Sequence, residues 1–319
     1  MVYFNNNIKI LCLLIIISPI SVFGQDYQLN SAATWLFNPA WYNPAISGSK
    51  DFNSLNILYA TGDDYNSIVV NGNSRLTRNI EGYSYMSNHY EYSNIGLGYH
   101  GFYRSGEKQQ STGIKASGSY HFSLNENSLS FLSIGLSLQG SYDVKDIQPD
   151  DENPDSTISE SSFMPNADFG IYYYSPNIFA GLSATGLLEG VTGDSLNLSP
   201  DTRCFHLFGG YKFLVYRPIN LIIEPSLIIS IPDSSFSNIP DNIYAALKVY
   251  IDNFCLGTYY YNKDKLSFFF KYNYPRFYLG GFLAINRKSP YYKKIPSLEI
   301  YAGINLSYNK SSKYKRYHW

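Results

Sequence analysis

The sequence predicts an all-β chain: a transmembrane antiparallel β-barrel of about fourteen strands, of the bacterial outer-membrane type. Three observations lead there. Apolar residues recur with a period of two in segment after segment, charged residues are scarce while aromatics abound, and the links between segments alternate between long and short.

Composition sets the frame. Charged residues make up 15% of the 319 and aromatics 17%, with 32 Tyr and 20 Phe. A soluble domain usually carries about 25% charged residues, because surface charge keeps it in solution. A surface that meets lipid has no such need, and Tyr suits the boundary between lipid and water. The formal net charge of -1 gives no basic surface for nucleic acid, so no such partner is expected.

Residues 1–24 read as a secretory signal peptide. A polar lead with Lys9 precedes an apolar run from Ile10 to Ile17, Pro19 breaks it, and Gly24 supplies a small residue before Gln25. The apolar core is too short to span a bilayer, and no later stretch approaches the roughly 18 apolar residues of a helical span. Cys12 lies within that core rather than after it, unlike a lipoprotein cysteine. Cys204 and Cys255 fall in predicted strands, where one disulfide and two separate buried thiols are both compatible with the sequence. No metal-ligand spacing is present, and no cofactor is expected.

The strands follow from alternation. From Leu129 to Tyr142, Leu132, Ile134, Leu136, Leu138 and Tyr142 share one face, while Ser133, Gly135, Ser137, Gln139 and Ser141 share the other. Successive side chains of a strand point to opposite faces, so one side is greasy and the other small and polar. Segments 113–122, 243–251 and 297–308 repeat the pattern. The predicted strands are 52–60, 65–75, 93–104, 111–123, 128–144, 165–175, 177–185, 202–216, 219–231, 241–252, 254–262, 265–273, 275–286 and 296–309. Barrels of this class have short periplasmic turns and long extracellular loops. Links 105–110, 145–164, 186–201, 232–240 and 287–295 alternate accordingly with 124–127, Pro176, 217–218, Asn253 and Tyr274. Links 76–92 and 263–264 break the pattern. A soluble β-sandwich also alternates, but its outward face carries many Lys and Glu, where this one carries Ser, Gly, Asn and Tyr. The organisation expected is a signal peptide (1–24), a periplasmic or plug segment (25–51), the barrel (52–309) and a basic tail (310–319).

Residues 36–49 read Leu-Phe-Asn-Pro-Ala-Trp-Tyr-Asn-Pro-Ala-Ile-Ser-Gly-Ser. This closely resembles the amino-terminal signature of the PorP/SprF family. Gly96-Leu97-Gly98-Tyr99, Pro165 to Tyr172 and Phe179-Ala180-Gly181-Leu182-Ser183 are similar to later family segments, in order. The resemblance implies an outer-membrane barrel of Bacteroidota tied to type IX secretion and gliding motility. It implies as partners outer-membrane lipid and a secreted type IX cargo or surface adhesin held by its C-terminal domain. Some members resemble core components linked to periplasmic secretion-ring and peptidoglycan-associated proteins. Members commonly finish on a strand ending Tyr-Arg-Phe, whereas this chain continues past Tyr308 to Trp319. That basic tail bears on how the last strand is recognised for insertion, and the long 76–92 link suggests a diverged member rather than the core component.

Several residues are candidates for function. Asn38-Pro39 and Asn43-Pro44 are turn initiators and Gly48 permits a further bend. With Trp35, Phe37, Trp41 and Tyr42 they suggest a compact aromatic plug, sealing the periplasmic mouth or docking the secretion apparatus. For catalysis, His100 and His121 beside Ser117 and Ser119 form the one constellation to inspect, although no nucleophile motif is present and no enzyme is expected. Lys115, Lys248, Lys271, Tyr244 and Tyr250 should face the lumen, as in a porin. Phe269, Tyr278 and Phe282 beside them argue for a filled or ligand-lined one. Asp150, Asp151 and Glu152 in one long loop, with Arg287, Lys288, Tyr291, Tyr292, Lys293 and Lys294 in another, would form a charged, Tyr-bearing rim able to grip a partner. The runner-up function is a core secretion component or a transport channel.

Overall fold

The computed structural model describes residues 32–50, 53–61, 65–78, 91–106, 109–125, 129–147, 158–188, 203–232, 243–261, 265–273, 276–286 and 297–306. A short helix, α1 (Ala32–Phe37), and two 3-10 turns (Pro39–Trp41 and Pro44–Ile46) precede the sheet. The strands are β1 (Asn53–Thr61), β2 (Tyr65–Arg78), β3 (Glu91–Gly106), β4 (Gln109–Asn125), β5 (Ser130–Ile147), β6 (Ile158–Tyr174), β7 (Ile178–Thr185), β8 (Cys204–Tyr211) and β9 (Phe213–Tyr216). They continue with β10 (Leu221–Pro232), β11 (Ile243–Ile251), β12 (Phe254–Tyr261), β13 (Lys265–Asn273), β14 (Phe277–Asn286) and β15 (Ser297–Leu306). All pairings are antiparallel, and β15 returns to pair with β1 from Asn53↔Leu306 to Thr61↔Leu298, closing the barrel. Because β8 and β9 both pair with β10 and share one place in the wall, the barrel has fourteen staves.

The structure differs from the alternation reading at three places. The predicted strand 202–216 is broken at Lys212. Pro225 on β10 stands across from that break and has no N–H to give the ladder, which resumes at Ile223↔Phe213. β6 begins at Ile158 rather than 165, paired with β5 out to Ile147↔Ile158. Its first rows, Ser159-Glu160-Ser161-Ser162, carry no apolar alternation. The two ends of the predicted 76–92 link are ladder as well, since Thr77 pairs with Tyr92 and Arg78 with Glu91.

The outer face is apolar at most positions between two aromatic rows. Ile114 is 73% exposed and Leu136 62%, a level of contiguous exposure that a water-facing surface does not carry. Tyr103, Tyr142 and Phe163 lie in one row through Thr112, and Phe122 lies in another with Leu132 and Tyr173. Thr112 and Phe122 are ten residues apart on β4. At about 3.3 Å per residue and a tilt of roughly 45°, the rows stand about 23 Å apart, matching the ~25 Å apolar band of outer-membrane barrels. Leu136 sits midway. Replacing it with Arg should cost about 2–4 kcal/mol, the range for a cation at mid-bilayer, read from denaturant titration of barrel refolded in liposomes.

Candidate functional site

The inner face is built to receive residues 34–50. Asn43 caps the second 3-10 turn, its Oδ1 accepting from the Ala45 amide at 2.9 Å. The same side chain donates through Nδ2 to the Ile171 carbonyl on β6 at 3.0 Å and the Leu182 carbonyl on β7 at 3.3 Å. Asn38 precedes the first turn without a side-chain cap, and its amide lies 3.4 Å from His100 Nδ1. Pro39 and Pro44 stand at the starts of the two turns, where a missing N–H costs nothing. Gly48 has φ +70° and lies against Gly96, in a conformation and a space that exclude a side chain.

The irregular backbone of this segment takes its partners from wall side chains. Lys115 Nζ donates to the Trp41 carbonyl at 2.5 Å, Ser133 Oγ to Ala45 O at 2.7 Å, Ser119 Oγ to Ser47 O at 2.5 Å and Tyr301 OH to Phe37 O at 3.1 Å. The Gly48 amide donates to Asn73 Oδ1 at 2.6 Å, and the Ser47 and Ser117 hydroxyls meet at 2.6 Å. Small residues on β3 and β5–β7 make room. A Cβ on Gly135 would lie 2.6 Å from Ala45 Cα, one on Gly170 would lie 2.8 Å from Asn43 Cγ, and one on Gly181 would lie 2.9 Å from Asn43 Nδ2. On the opposite wall Phe37 packs against Phe282 at 5.0 Å and Phe269 at 5.7 Å between ring centroids, and stacks on Tyr301. Trp35 stacks on Tyr42 at 3.7 Å, and both rings meet His206 on β8 in T-shaped contacts. The segment therefore bridges the lumen from β3–β8 to β13–β15.

A buried ion pair secures it. Lys115 pairs with Asp168, whose Oδ2 also accepts from Ser137 Oγ at 2.7 Å and whose Oδ1 accepts from the Gly186 amide at 3.1 Å. The Lys115 ammonium further lies 5.2 Å from the centre of the Trp41 ring.

The histidine–serine constellation divides between two tasks. His121 Nε2 lies 3.0 Å from Ser119 Oγ and 2.9 Å from the Ser47 carbonyl, while its Nδ1 lies 3.0 Å from Tyr174 OH. His100 instead faces Asn38 and meets the Trp41 ring at a right angle. Both histidines thus meet the plug, and Ser119 Oγ spends its proton on the Ser47 carbonyl. Tyr244, Tyr250, Lys115, Lys271, Phe269, Tyr278 and Phe282 are buried on the inner face, and Lys248 is nearly so. Cys204 and Cys255 are buried thiols, not joined in a disulfide. Asp150, Asp151, Glu152, Arg287, Lys288, Tyr291, Tyr292, Lys293 and Lys294 lie outside the described residues.

Sequence reasoning passed over Ser47, Asn73, Ser133 and the inward glycines as plug contacts. The signal available was their common level. Gly135 pairs with Ser119 on one side and Gly170 on the other, and Gly170 pairs with Ser183, so small residues line up across four neighbouring strands.

A closed fourteen-stave barrel with a lipid-facing belt and a lumen filled by its own N-terminal segment defines a plugged protein of the outer membrane. The chain belongs to the family described as type IX secretion system membrane protein PorP/SprF, whose model matches residues 24–303. No curated protein matches the sequence. Among solved structures the chain is similar to the CymD monoaromatic hydrocarbon channel, with 11% identity, TM-score 0.42, and 86% of this chain and 92% of that one covered. A Pseudomonas aeruginosa FadL homologue is similar at 10% identity and TM-score 0.41, over 84% and 93% of the two chains. Haemophilus ducreyi BamA lacking POTRA domains 1–3 is similar at 10% identity and TM-score 0.38, over 80% and 70%.

Removing one partner of a buried ion pair costs about 3–5 kcal/mol, because it leaves the other charge uncompensated. Lys115→Met should therefore destabilise the plugged barrel by about that amount in a denaturant titration. Gly135→Val should displace the segment without breaking the wall, read as faster protease cleavage within residues 32–50 while the barrel still migrates as folded on an unheated gel.

Proposed function

We propose that this barrel is a non-enzymatic accessory of the type IX secretion system that holds a secreted protein, through its C-terminal domain, at the cell surface. The observation that carries the reading is the filled lumen. A segment whose carbonyls are met one by one by wall side chains, and for which the wall keeps glycines clear, is a resident of the barrel rather than a passing occupant. Such a lumen favours binding at the rim over conduction. The charged loops at the extracellular end supply that rim: the acidic Asp150, Asp151 and Glu152, and the basic, Tyr-bearing Arg287, Lys288, Tyr291, Tyr292, Lys293 and Lys294. Tyr and Arg are favoured at binding hot spots, and a patch of one charge steers an oppositely charged partner to it.

Isolation from the native outer membrane in mild detergent, with mass spectrometry of what co-purifies, tests this. One large secreted protein should be recovered. Replacing Arg287, Lys288, Lys293 and Lys294 together with Gln should cut that recovery at least tenfold while the barrel still inserts. Periplasmic ring proteins recovered without such cargo would move the protein to the secretion core. Ion conductance in planar bilayers with no partner would make it a channel.

A further inference from the structure

The N-terminal segment leaves one side of the lumen unfilled. A cavity of about 160 Å3 lies between it and the wall formed by β10, β11 and β13. Aromatic rings line both of its sides: Trp35 and Phe37 from the plug, Tyr172, Phe179 and Phe208 from the wall. Tyr172 stacks on Phe208 at 5.9 Å between centroids, and Trp35 makes a T-shaped contact with Phe208 at 6.2 Å. Most of the charged groups beside the rings are already engaged. Glu224 Oε1 accepts from Lys248 Nζ at 2.8 Å and Oε2 from Tyr250 OH at 3.2 Å. Lys50 and Lys212 also line the cavity and have interactions of their own. Lys271 on β13 differs. It lines the cavity at 9% exposure, with its ammonium 4.7 Å from the centre of the Tyr278 ring, 4.8 Å from that of Phe37 and 5.8 Å from that of Tyr301. Ring faces meet the charge of an ammonium. Among the described residues, however, no atom accepts a hydrogen bond from its three N–H groups.

We propose that this cavity binds a small aromatic molecule bearing a carbonyl, its oxygen accepting from Lys271 Nζ and its ring packed against the aromatic lining. A buried donor without an acceptor is rare in a folded protein, and an ammonium can be completed only by a group that accepts. Water alone is a poor occupant, because a buried water takes about three polar partners and ring faces supply none. The lining favours an aromatic body, since offset and edge-to-face contacts between rings add to what burial alone contributes. Apolar walls with a few convergent polar groups are the usual make-up of a small-molecule site. The size suits a single ring, because a cavity of about 150 Å3 lined by apolar side chains accepts benzene. Recognition rests on one hydrogen bond and on ring packing, so a neutral ligand suffices. Ser175, in the turn between β6 and β7, also lines the cavity. That turn lies at the end of the barrel with short turns, which is the periplasmic end in this class, and so the ligand enters from the periplasm. The site is separate from the extracellular rim and stands or falls independently of the cargo-holding reading.

Titration calorimetry on the full chain in non-ionic detergent tests it, with benzamide, acetamide and benzylamine as probes at neutral pH. Benzamide carries both ring and carbonyl, acetamide the carbonyl without the ring, and benzylamine the ring with a cation that only donates. Benzamide should bind saturably and at least tenfold more tightly than either of the others, a comparison that needs no variant. Lys271→Met, which removes the donors, should weaken benzamide at least tenfold. Ser226→Leu, which fills the cavity from β10 and leaves Lys271 in place, should do the same. Arg276→Gln, which removes an exposed cation just before β14, should leave binding unchanged. Acetamide or benzylamine binding as tightly as benzamide, a benzamide signal no larger than that of protein-free micelles, or full benzamide affinity in Lys271→Met or Ser226→Leu would overturn the proposal.

Discussion

An irregular backbone enclosed in a membrane barrel must find a partner for every carbonyl and amide away from bulk water, and the interior of this protein is arranged around that requirement. Residues 34–50 make only short helical turns, which leave carbonyls without partners along the chain. Here those of Phe37, Trp41, Ala45 and Ser47 are met by Tyr301, Lys115, Ser133 and Ser119. Each such bond contributes only about 0.5–1.5 kcal/mol net, but leaving a buried group unmet costs about 1–3 kcal/mol. The wall's polar alternation serves a particular occupant as much as it lines a lumen.

The same requirement explains why the inner face is small as well as polar. A plug whose backbone is to be reached by serine hydroxyls must lie within a hydroxyl's length of the wall, and neighbouring rows must then shrink to glycine. Gly96, Gly98, Gly135, Gly170 and Gly181 all meet the segment at distances a side chain would occupy. Lys115 and Asp168 are the exception in size, and they are tolerated because every polar atom of Asp168 has a partner and the ammonium spans both the carboxylate and the Trp41 carbonyl. The stretches that resemble family segments, around Gly96, Gly170 and Gly181, are the same stretches that accommodate the N-terminal motif. Their simple composition has a specific use.

Period-two alternation made nearly every stave legible, because one face meets lipid and the other a packed interior, so a slip of one residue would exchange them. Where that contrast fades, legibility fades. The start of β6 carries Ser, Glu and Ser in succession and reads as loop, although its backbone stays in the ladder. The break at Lys212 depends on Pro225 across the sheet, a pairing that no local window contains. For the site, Asn38-Pro39 and Asn43-Pro44 announced two turns, and the aromatic residues around them suggested a plug. Which wall residues would meet it depends on barrel register, so Asn73, Ser133 and Tyr301 could be read as polar lumen but not as partners of named carbonyls.

The position of the plug in the chain also constrains how the interior is assembled. The segment lies ahead of β1, yet its contacts reach Ser133 on β5, Leu182 on β7 and Tyr301 on β15, the last separated by 264 residues from the carbonyl it meets. Contacts of such sequence separation form only after the intervening chain has been ordered, since loop closure opposes them. Phe37 needs Phe269, Phe282 and Tyr301 from three of the last staves, while Asn43 needs β6 and β7. Docking of the segment thus reports that both halves of the wall are in place, and β15 pairing with β1 brings them together. The interactions that span the lumen, from β4–β7 on one side to β13–β15 on the other, stabilise the closed ring over an open sheet. A barrel of this kind holds its plug because it is closed, and is held closed in part by its plug.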